Sequence, residues 1–271
     1  MKKNGSTVLL ALIFLVGVGL LVYPTFSDYW NSLHQSRAVV NYVEQVTNID
    51  TAHYEKLWAD AEAYNKELSE NGISWLLSDE EKEEYQEYLK IDDSGIMAYI
   101  DIPVINCSLP IYHGTDESIL QTAVGHIEGS SLPVGGAGSH CVLSGHRGLP
   151  SAKLFTDLDK LVEGDTFLLH TLDATLTYEV DQIRIVEPTD LSDLQIQEGK
   201  DYCTLVTCTP YGINTHRLLV RGHRIANAEE VKVIRVSADA TQVDPVQVAP
   251  FLAVPMLLLL MIGVFISSKK R

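Results

Sequence analysis

Two apolar segments enclose this chain and restrict what it can fold into. The first runs from Thr7 to about Tyr23 and the second from about Val248 to Ile266. Each has the roughly 17–25 residues that an α-helix needs to cross a membrane. No small-x-small cleavage site follows Tyr23, so the first segment predicts an uncleaved anchor rather than a secretory signal.

Basic residues lie at the outer end of both segments, at Lys2 and Lys3 and at positions 269–271. The cytoplasmic flanks of membrane helices carry such an excess of lysine and arginine. The pattern therefore predicts a cell-membrane protein with two spans, in which both termini are cytoplasmic and approximately Ser27–Val246 lies outside the cell.

The segment between the spans, roughly 220 residues long, is large enough for one domain with its own core. Asp and Glu number 36 against 20 Lys and Arg, which gives a formal net charge of −16. Because several of the bases lie on the inner side of the membrane, the outer part is more acidic still. This balance disfavours nucleic acid as a partner. The two apolar segments predict the lipid membrane as a partner.

The four cysteines, Cys107, Cys141, Cys203 and Cys208, form no CxxC pair. A disulfide among the first three stays open, since spacing alone cannot pair them. A zinc site built on Cys203 and Cys208 lacks a second ligand cluster, so we expect no metal and no cofactor.

The first third of the chain outside the membrane has helical spacing. Apolar residues recur at helical intervals between Arg37 and Leu68, with a break predicted at Asn48–Thr51. Ser78 followed by Glu81 is typical of a capping box and predicts a short helix that continues to Leu89. The segment predicts a helical stalk packed against the domain.

From Ile96 onward the pattern favours strands bounded by Gly, Pro, Asn and Asp. Few helical patterns interrupt them, which predicts a mainly β domain, either a barrel or a sandwich. The predicted strands are Ile96–Ile102, Leu109–Tyr112, Cys141–Ser144, Thr166–Thr171, Thr175–Val186, Tyr202–Cys208, His216–Arg221 and Val231–Val236.

Cys208 ends a β-branched run just before a turn, a position at which the sheet fixes a side chain and the loop exposes it. If the flanking strands form a hairpin, Arg217 lies close to Cys208, because the Cβ atoms of cross-strand neighbours are about 4.5–5.5 Å apart. A thiol also needs a nearby base or cation to act as a nucleophile near neutral pH.

His146 is the histidine that we favour as the partner of Cys208. The spacing of the chain does not exclude His126 or His140 from this role. The further candidates are His113, His216 and His223.

The run Thr204-Leu205-Val206-Thr207-Cys208, with Arg217 downstream and Ser144-Gly145-His146-Arg147 upstream, resembles the signature of sortases, the cysteine transpeptidases of Gram-positive cell surfaces. The resemblance covers about Gly95–Ile225. It is strongest to the class C, pilus-assembling sortases, through residues 109–115, 125–133, 145–150 and 209–217 and through the second apolar segment.

This resemblance implies an eight-stranded sortase-type β-barrel with N-terminal helices, flanked by two transmembrane helices. It divides the chain into an anchor at residues 1–25, a helical stalk and possible lid region at 26–94, a catalytic barrel at 95–237, a linker at 238–247, and a second membrane helix with a basic tail at 248–271.

The resemblance also implies the chemistry. Cys208 would be the nucleophile, His146 the general acid and base, and Arg217 the group that stabilises the oxyanion or the substrate. The expected substrates are pilins or surface proteins with a C-terminal sorting signal of the Leu-Pro-x-Thr-Gly type, joined to a pilin lysine. The alternatives are attachment of surface proteins to peptidoglycan and a non-catalytic scaffold for pilus assembly.

One region departs from the class C pattern. Members of that class carry a lid with an Asp-Pro-aromatic motif before the barrel, whereas residues 71–79 here contain no Asp-Pro. Trp75 either takes the part of the aromatic residue or packs between stalk and barrel. The missing motif predicts a weak or absent lid and an accessible Cys208.

Overall fold

A computed structural model describes residues 5–227 and 255–256 of the chain. Three helices precede the barrel, α1 at Gly5–Asn48, α2 at Thr51–Asn71 and α3 at Asp79–Tyr85. The predicted break between the first two is confirmed, since the Asp50 side chain accepts a hydrogen bond from the backbone N–H of His53 and caps α2. The capping box of Ser78 and Glu81 is also confirmed at the start of α3.

Within the described ranges, one helix, Leu9–Asn48, is long and apolar enough to cross a membrane. It contains the first apolar segment of the sequence. The predicted second span at Val248–Ile266, the linker at 238–247 and the predicted strand Val231–Val236 lie outside the described residues, apart from positions 255–256.

Eight strands close into a barrel in the order β1-β2-β3-β4-β7-β8-β6-β5. The pairs β2–β3 and β4–β7 are parallel and the others are antiparallel. A short helix, α4 at Glu117–Leu120, lies between β2 and β3. The strands are β1 at Ile96–Ile102, β2 at Cys107–His113, β3 at Val124–His126, β4 at Ser139–Ser144, β5 at Thr166–Thr171, β6 at Ala174–Val186, β7 at Asp201–Thr209 and β8 at His216–Ile225.

Seven of the predicted strands are confirmed, and the closed barrel decides between the two predicted architectures. The sequence patterns missed β3, which has only three residues and a glycine at its centre. A glycine in so short a segment is typical of a turn, and only the pairing with β2 and β4 makes it a strand.

The chain separates near residue 30 into two units, and the described part of the second, residues 31–227, contains the barrel. The last part of α1 and all of α2 pack on the barrel as the predicted stalk. Tyr42 donates a hydrogen bond to the Met97 carbonyl, 2.9 Å away, and accepts one from the backbone N–H of Leu172. The amide of Asn65 bonds both the N–H and the carbonyl of Leu132.

Side chains alternate between the two faces of each strand, so β7 borders two apolar clusters. Leu205 points into the barrel interior and belongs to the main core with Phe167, Tyr178 and Val220. Val206 points outward and belongs to a smaller cluster on the outer face. We call this the groove cluster, which comprises Val142, Leu194, Val206 and Leu219, together with the partly buried Trp75, Ile127, Val186 and Leu191.

Candidate active site

The hairpin of β7 and β8 brings Cys208 and Arg217 together. The two residues are direct partners in the antiparallel register, as the sequence predicts. Both side chains are half-buried. Their outward face also carries Val206, two positions before Cys208, and Leu219, two positions after Arg217. The residues that carry the thiol and the guanidinium are therefore neighbours on the face that also holds the groove cluster.

His146 reaches this point through the parallel pairing of β4 with β7. The last registered pair is Ser144 with Val206. The pairing continues beyond it, because the N–H of Gly145 donates to the Val206 carbonyl at 3.1 Å and the Thr207 hydroxyl donates to the Gly145 carbonyl at 2.7 Å. Extending the register by two residues beyond the pair of Ser144 and Val206 sets position 146 beside position 208.

Arg147 fixes the loop that carries His146. Its side chain is 9% exposed and forms an ion pair with Asp159. It also donates a hydrogen bond to the Thr209 hydroxyl, 3.2 Å away. Since Thr209 follows Cys208, this contact joins the loop after β4 to the end of β7. The sequence motif contained Arg147, but its part in holding the loop could not be inferred without the distant Asp159.

The loop after His146 also depends on a glycine. Gly148 has a φ of +77°, and a Cβ there would lie 3.0 Å from the Tyr211 ring in the β7–β8 loop. Both the left-handed backbone and the close ring disfavour any larger residue. The Tyr211 ring thus packs against the loop that follows His146.

Arg217 uses only part of the hydrogen-bond donors of its guanidinium. Within the described residues its hydrogen bonds involve Nη1 alone, which donates to the carbonyls of His216 at 3.1 Å and Asn214 at 3.4 Å. A guanidinium carries five N–H donors. The remaining donors have no partner among the described residues, and Arg217 is the cross-strand neighbour of Cys208.

The other histidines proposed as alternatives are occupied elsewhere. His126 is fully buried, with Nδ1 2.8 Å from the Tyr85 hydroxyl and Nε2 2.9 Å from the Ser131 carbonyl. His140 is buried between the Gln195 carbonyl and the Thr204 hydroxyl. These contacts support His146 as the partner of Cys208.

The remaining three histidines also lie in other surroundings. Both ring nitrogens of His113 contact backbone carbonyls. His216 forms an ion pair with Glu187, and His223 lies near Asp181.

The other three cysteines are free thiols. Although burial disfavours the thiolate of Cys141, hydrogen bonds with Cys203 and His126 lower the pKa of this thiol overall, so its inaccessibility is what excludes it. Cys141 and Cys203 are buried in the barrel interior, where a substrate cannot reach them. Burial raises the pKa of the Cys203 thiol well above its usual value and that of the Cys107 thiol to about 12. A thiol that stays protonated is a poor nucleophile, so Cys208 is the suitable one.

Trp75 lies on the same face as Cys208. Its ring packs against the groove cluster, which contains Val206, and the residues before it lie against the loop after β3. A Cβ at Gly129, whose φ is +84°, would lie 2.0 Å from the Ser74 carbonyl oxygen. Glycine is thus needed there for the close approach of the segment. This packing argues against the open site that the missing Asp-Pro motif predicts.

The sequence patterns assign no role to Glu117, the first residue of α4. Its Oε2 lies 3.8 Å from Nε2 of His146. Only the folding of α4 beside β3 and of the loop after β4 brings the two together. No motif in the sequence indicated this pair.

Comparison with known proteins gives the same picture as this geometry. The family model for the sortase domain matches residues 100–225. The crystal structure of sortase C1 from Streptococcus agalactiae is 56% identical, with a TM-score of 0.70, and the alignment covers 71% of this chain and 100% of that one.

Two further solved structures are similar over the same region. Sortase C from Streptococcus pneumoniae is 46% identical at a TM-score of 0.65, with 72% of this chain and 100% of that one covered. Clostridium perfringens sortase C, solved with the C-terminal cell wall sorting motif, is 45% identical at a TM-score of 0.63, with 70% and 99% covered.

Among curated relatives, Sortase D of Bacillus subtilis is 35% identical over 135 residues, which are 49% of this chain and 64% of that protein. The family model, the barrel and the high identity to complete solved domains agree. The chain belongs to the sortase family of cysteine transpeptidases, and its structural neighbours are class C sortases.

Proposed function

We propose that this protein is a membrane-anchored transpeptidase that polymerises pilins. It would cleave a Leu-Pro-x-Thr-Gly-like sorting signal between Thr and Gly through a thioacyl intermediate on Cys208, and transfer the acyl group to a pilin lysine. The observation that carries this proposal is the direct pairing of Cys208 with Arg217 beside the loop of His146.

In the first half of the reaction, the Cys208 thiolate attacks the Thr carbonyl of the signal. The oxyanion that forms lies next to the free donors of Arg217, and donors of this kind are typically worth about 3–4 kcal/mol each in the transition state. His146 protonates the departing Gly amine, which leaves a thioester on Cys208. In the second half, His146 takes a proton from the lysine that resolves the thioester.

The groove cluster supports a site for the apolar Leu-Pro part of the signal. It lies on the face of Cys208, immediately before the thiol along β7. Trp75 packs on this cluster, so we propose that the segment around Trp75 is a lid that leaves before the signal binds. A closed lid lowers the apparent affinity for substrate by the fraction of open molecules.

The similar proteins support the choice of substrate. The S. pneumoniae sortase C structure provides insights into pilin substrate specificity, and the C. perfringens structure contains a sorting motif. A pilin with an apolar C-terminal tail would wait at the membrane surface, where an anchored enzyme meets it at high effective concentration.

Co-expression with candidate pilins tests the proposal. We expect protein ladders of high mass that resist boiling in SDS, and none with the Cys208→Ala variant. Pilin monomers linked to peptidoglycan, without ladders, would instead indicate attachment to the cell wall. If the wild type forms no covalent product, the remaining alternative is a non-catalytic scaffold for pilus assembly.

We also propose the two-span topology, with both termini in the cytoplasm and the catalytic domain outside the cell. The apolar α1 and the basic flanks of both apolar segments support it. An alkaline phosphatase fused after Arg271 should be inactive, because that enzyme requires export. Activity of the fusion would contradict a second span.

A further inference from the structure

Glu117 lies at the edge of the candidate active site, with no part in the mechanism described so far. Its side chain is 73% exposed, and its Oε2 is 3.8 Å from Nε2 of His146. The amide of Gln121, one turn later, donates a hydrogen bond to its other carboxylate oxygen, Oε1. This contact holds the carboxylate and leaves Oε2 directed to the histidine.

The imidazole nitrogen that faces Glu117, Nε2 of His146, is buried and lacks a hydrogen-bond partner within the described residues. The distance of 3.8 Å is too long for a direct hydrogen bond, which requires about 2.7–3.2 Å. A nitrogen atom that lies about 2.9 Å from both Oε2 of Glu117 and Nε2 of His146 is within hydrogen-bond distance of both atoms. A primary ammonium group that displaced the atoms covering Nε2 would have the donors for both bonds, since it carries three.

Among the charged side chains described around the site, Glu117 favours approach of a cation from its own side. Arg217 lies on the β8 side of Cys208 and repels an ammonium group. Arg147 is already paired with Asp159. Glu117 is a largely exposed carboxylate on the far side of His146, so an incoming ammonium that avoids the guanidinium meets Glu117 first.

We propose that Glu117 binds the ammonium group of the acceptor lysine and presents it to His146, an inference that rests on the transpeptidase function proposed above. One proton passes from the ammonium to Nε2 of His146. The nitrogen lone pair forms the C–N bond with the thioester carbonyl carbon, and the C–S bond to Cys208 breaks. A second N–H proton goes to the leaving sulfur, which yields the amide, the Cys208 thiol and the imidazolium.

This role distinguishes acceptors by charge. Lysine is cationic near neutral pH, whereas water and hydroxylamine are uncharged. Glu117 should therefore favour transfer to lysine over hydrolysis without affecting formation of the thioester. A carboxylate that only orients His146 would affect all acceptors equally, because every one of them uses the same imidazole.

The test uses the full chain in detergent with a fluorescent sorting-signal peptide as the donor. Nα-acetyl-lysine amide, hydroxylamine and water serve as acceptors, and mass spectrometry separates the three products. Glu117→Gln is compared with the wild type and with Glu163→Gln, a control at an exposed carboxylate before β5.

We expect Glu117→Gln to raise the KM for the lysine acceptor about threefold to fivefold, the range of an exposed charge pair. Hydroxylamine transfer and hydrolysis should stay at the wild-type rate, and Glu163→Gln should match the wild type throughout. Added salt should raise the lysine KM of the wild type and leave that of Glu117→Gln nearly unchanged.

Two results would overturn this inference and leave the proposed function intact. The first is an unchanged KM for lysine in Glu117→Gln, and the second is an equal loss of activity with all three acceptors. The second would make Glu117 a positioning residue for His146. A lysine KM of the wild type that does not respond to salt would also overturn it. If the wild type forms hydroxamate but no lysine amide, the proposed function itself fails and the inference with it.

Discussion

Two cysteines of the same strand have opposite chemical settings. Cys203 and Cys208 both belong to β7, but they are separated by an odd number of positions and so point to opposite faces. Cys203 is fully buried in the barrel interior, where its pKa is raised by desolvation. Cys208 is half-buried on the outer face beside Arg217. Strand alternation, rather than residue type, decides which thiol can meet a substrate.

The outer face of β7 is itself divided along its length. At the Cys208 end it borders the loops that carry His146 and Tyr211. At the other end Thr204 is 1% exposed and hydrogen-bonded to the buried His140. Between them Trp75 packs on the groove cluster. One end holds the candidate active site and the other is sealed, and the following predictions test this division.

The largest effect should come from the nucleophile. We expect Cys208→Ala to lower product formation at least about a thousandfold, as loss of a nucleophile does in other acyl transferases, while Cys203→Ala keeps most of the activity. Mass spectrometry of enzyme incubated with a sorting-signal peptide should find the acyl adduct on a peptide that contains Cys208. An adduct on Cys203 would refute the assignment of Cys208 as the thiol of β7 that meets the substrate.

The next effect concerns the partner of Cys208. Arg217→Lys should lower kcat by about a hundredfold, the typical loss of one oxyanion donor, with a smaller change in KM. Lysine keeps the charge but not the planar fork of donors. Steady-state kinetics on a quenched sorting-signal peptide would measure both constants. Full kcat with a raised KM would make Arg217 a residue that binds the ground state.

The sealed end should respond to acid. Burial lowers the pKa of His140 to about 4, from an ordinary value near 6.5. Because the unfolded chain binds the proton more tightly, this histidine's contribution to stability is complete above about pH 6.5 and is lost as the pH falls towards 4. The loss is about 3 kcal/mol at most, since one pKa unit corresponds to about 1.36 kcal/mol.

Urea unfolding of the wild type and His140→Gln, measured from about pH 7 to about pH 4, isolates this contribution. The wild type should lose stability more steeply than the variant over this range. The difference between their unfolding free energies should change by up to about 3 kcal/mol. Parallel curves would indicate that His140 is not buried in its neutral form.

The smallest effect concerns the cover of the groove. Trp75→Ala should accelerate alkylation of Cys208 by a small thiol reagent about tenfold, which corresponds to roughly 1.4 kcal/mol of closure. The reason is the packing of the Trp75 ring on the groove cluster next to the thiol. Leu76→Ala is a matched control, since Leu76 is adjacent and 90% exposed. Equally fast alkylation of wild type and Trp75→Ala would restore the open site that the missing Asp-Pro motif predicts.

The sequence by itself determined the features that depend on neighbouring residues. The capping box at Ser78 and the break at Asp50 arise from side chains three positions apart. The pairing of Cys208 with Arg217 follows from one hairpin, whose register is set by a short loop. Their signature also indicated the sortase family before any fold was known.

The tertiary structure alone decided the features that join distant segments. The loop of His146 lies beside the end of β7 because β4 runs parallel to β7, and the hydrogen bond between Thr207 and Gly145 joins residues 62 positions apart. The burial of His126 and His140, the strand β3, the packing of Trp75 and the contact of Glu117 with His146 depend on other such pairings. Local patterns specify which face of a strand is apolar, but not which strand will lie beside it, since that choice depends on the packing of the whole barrel.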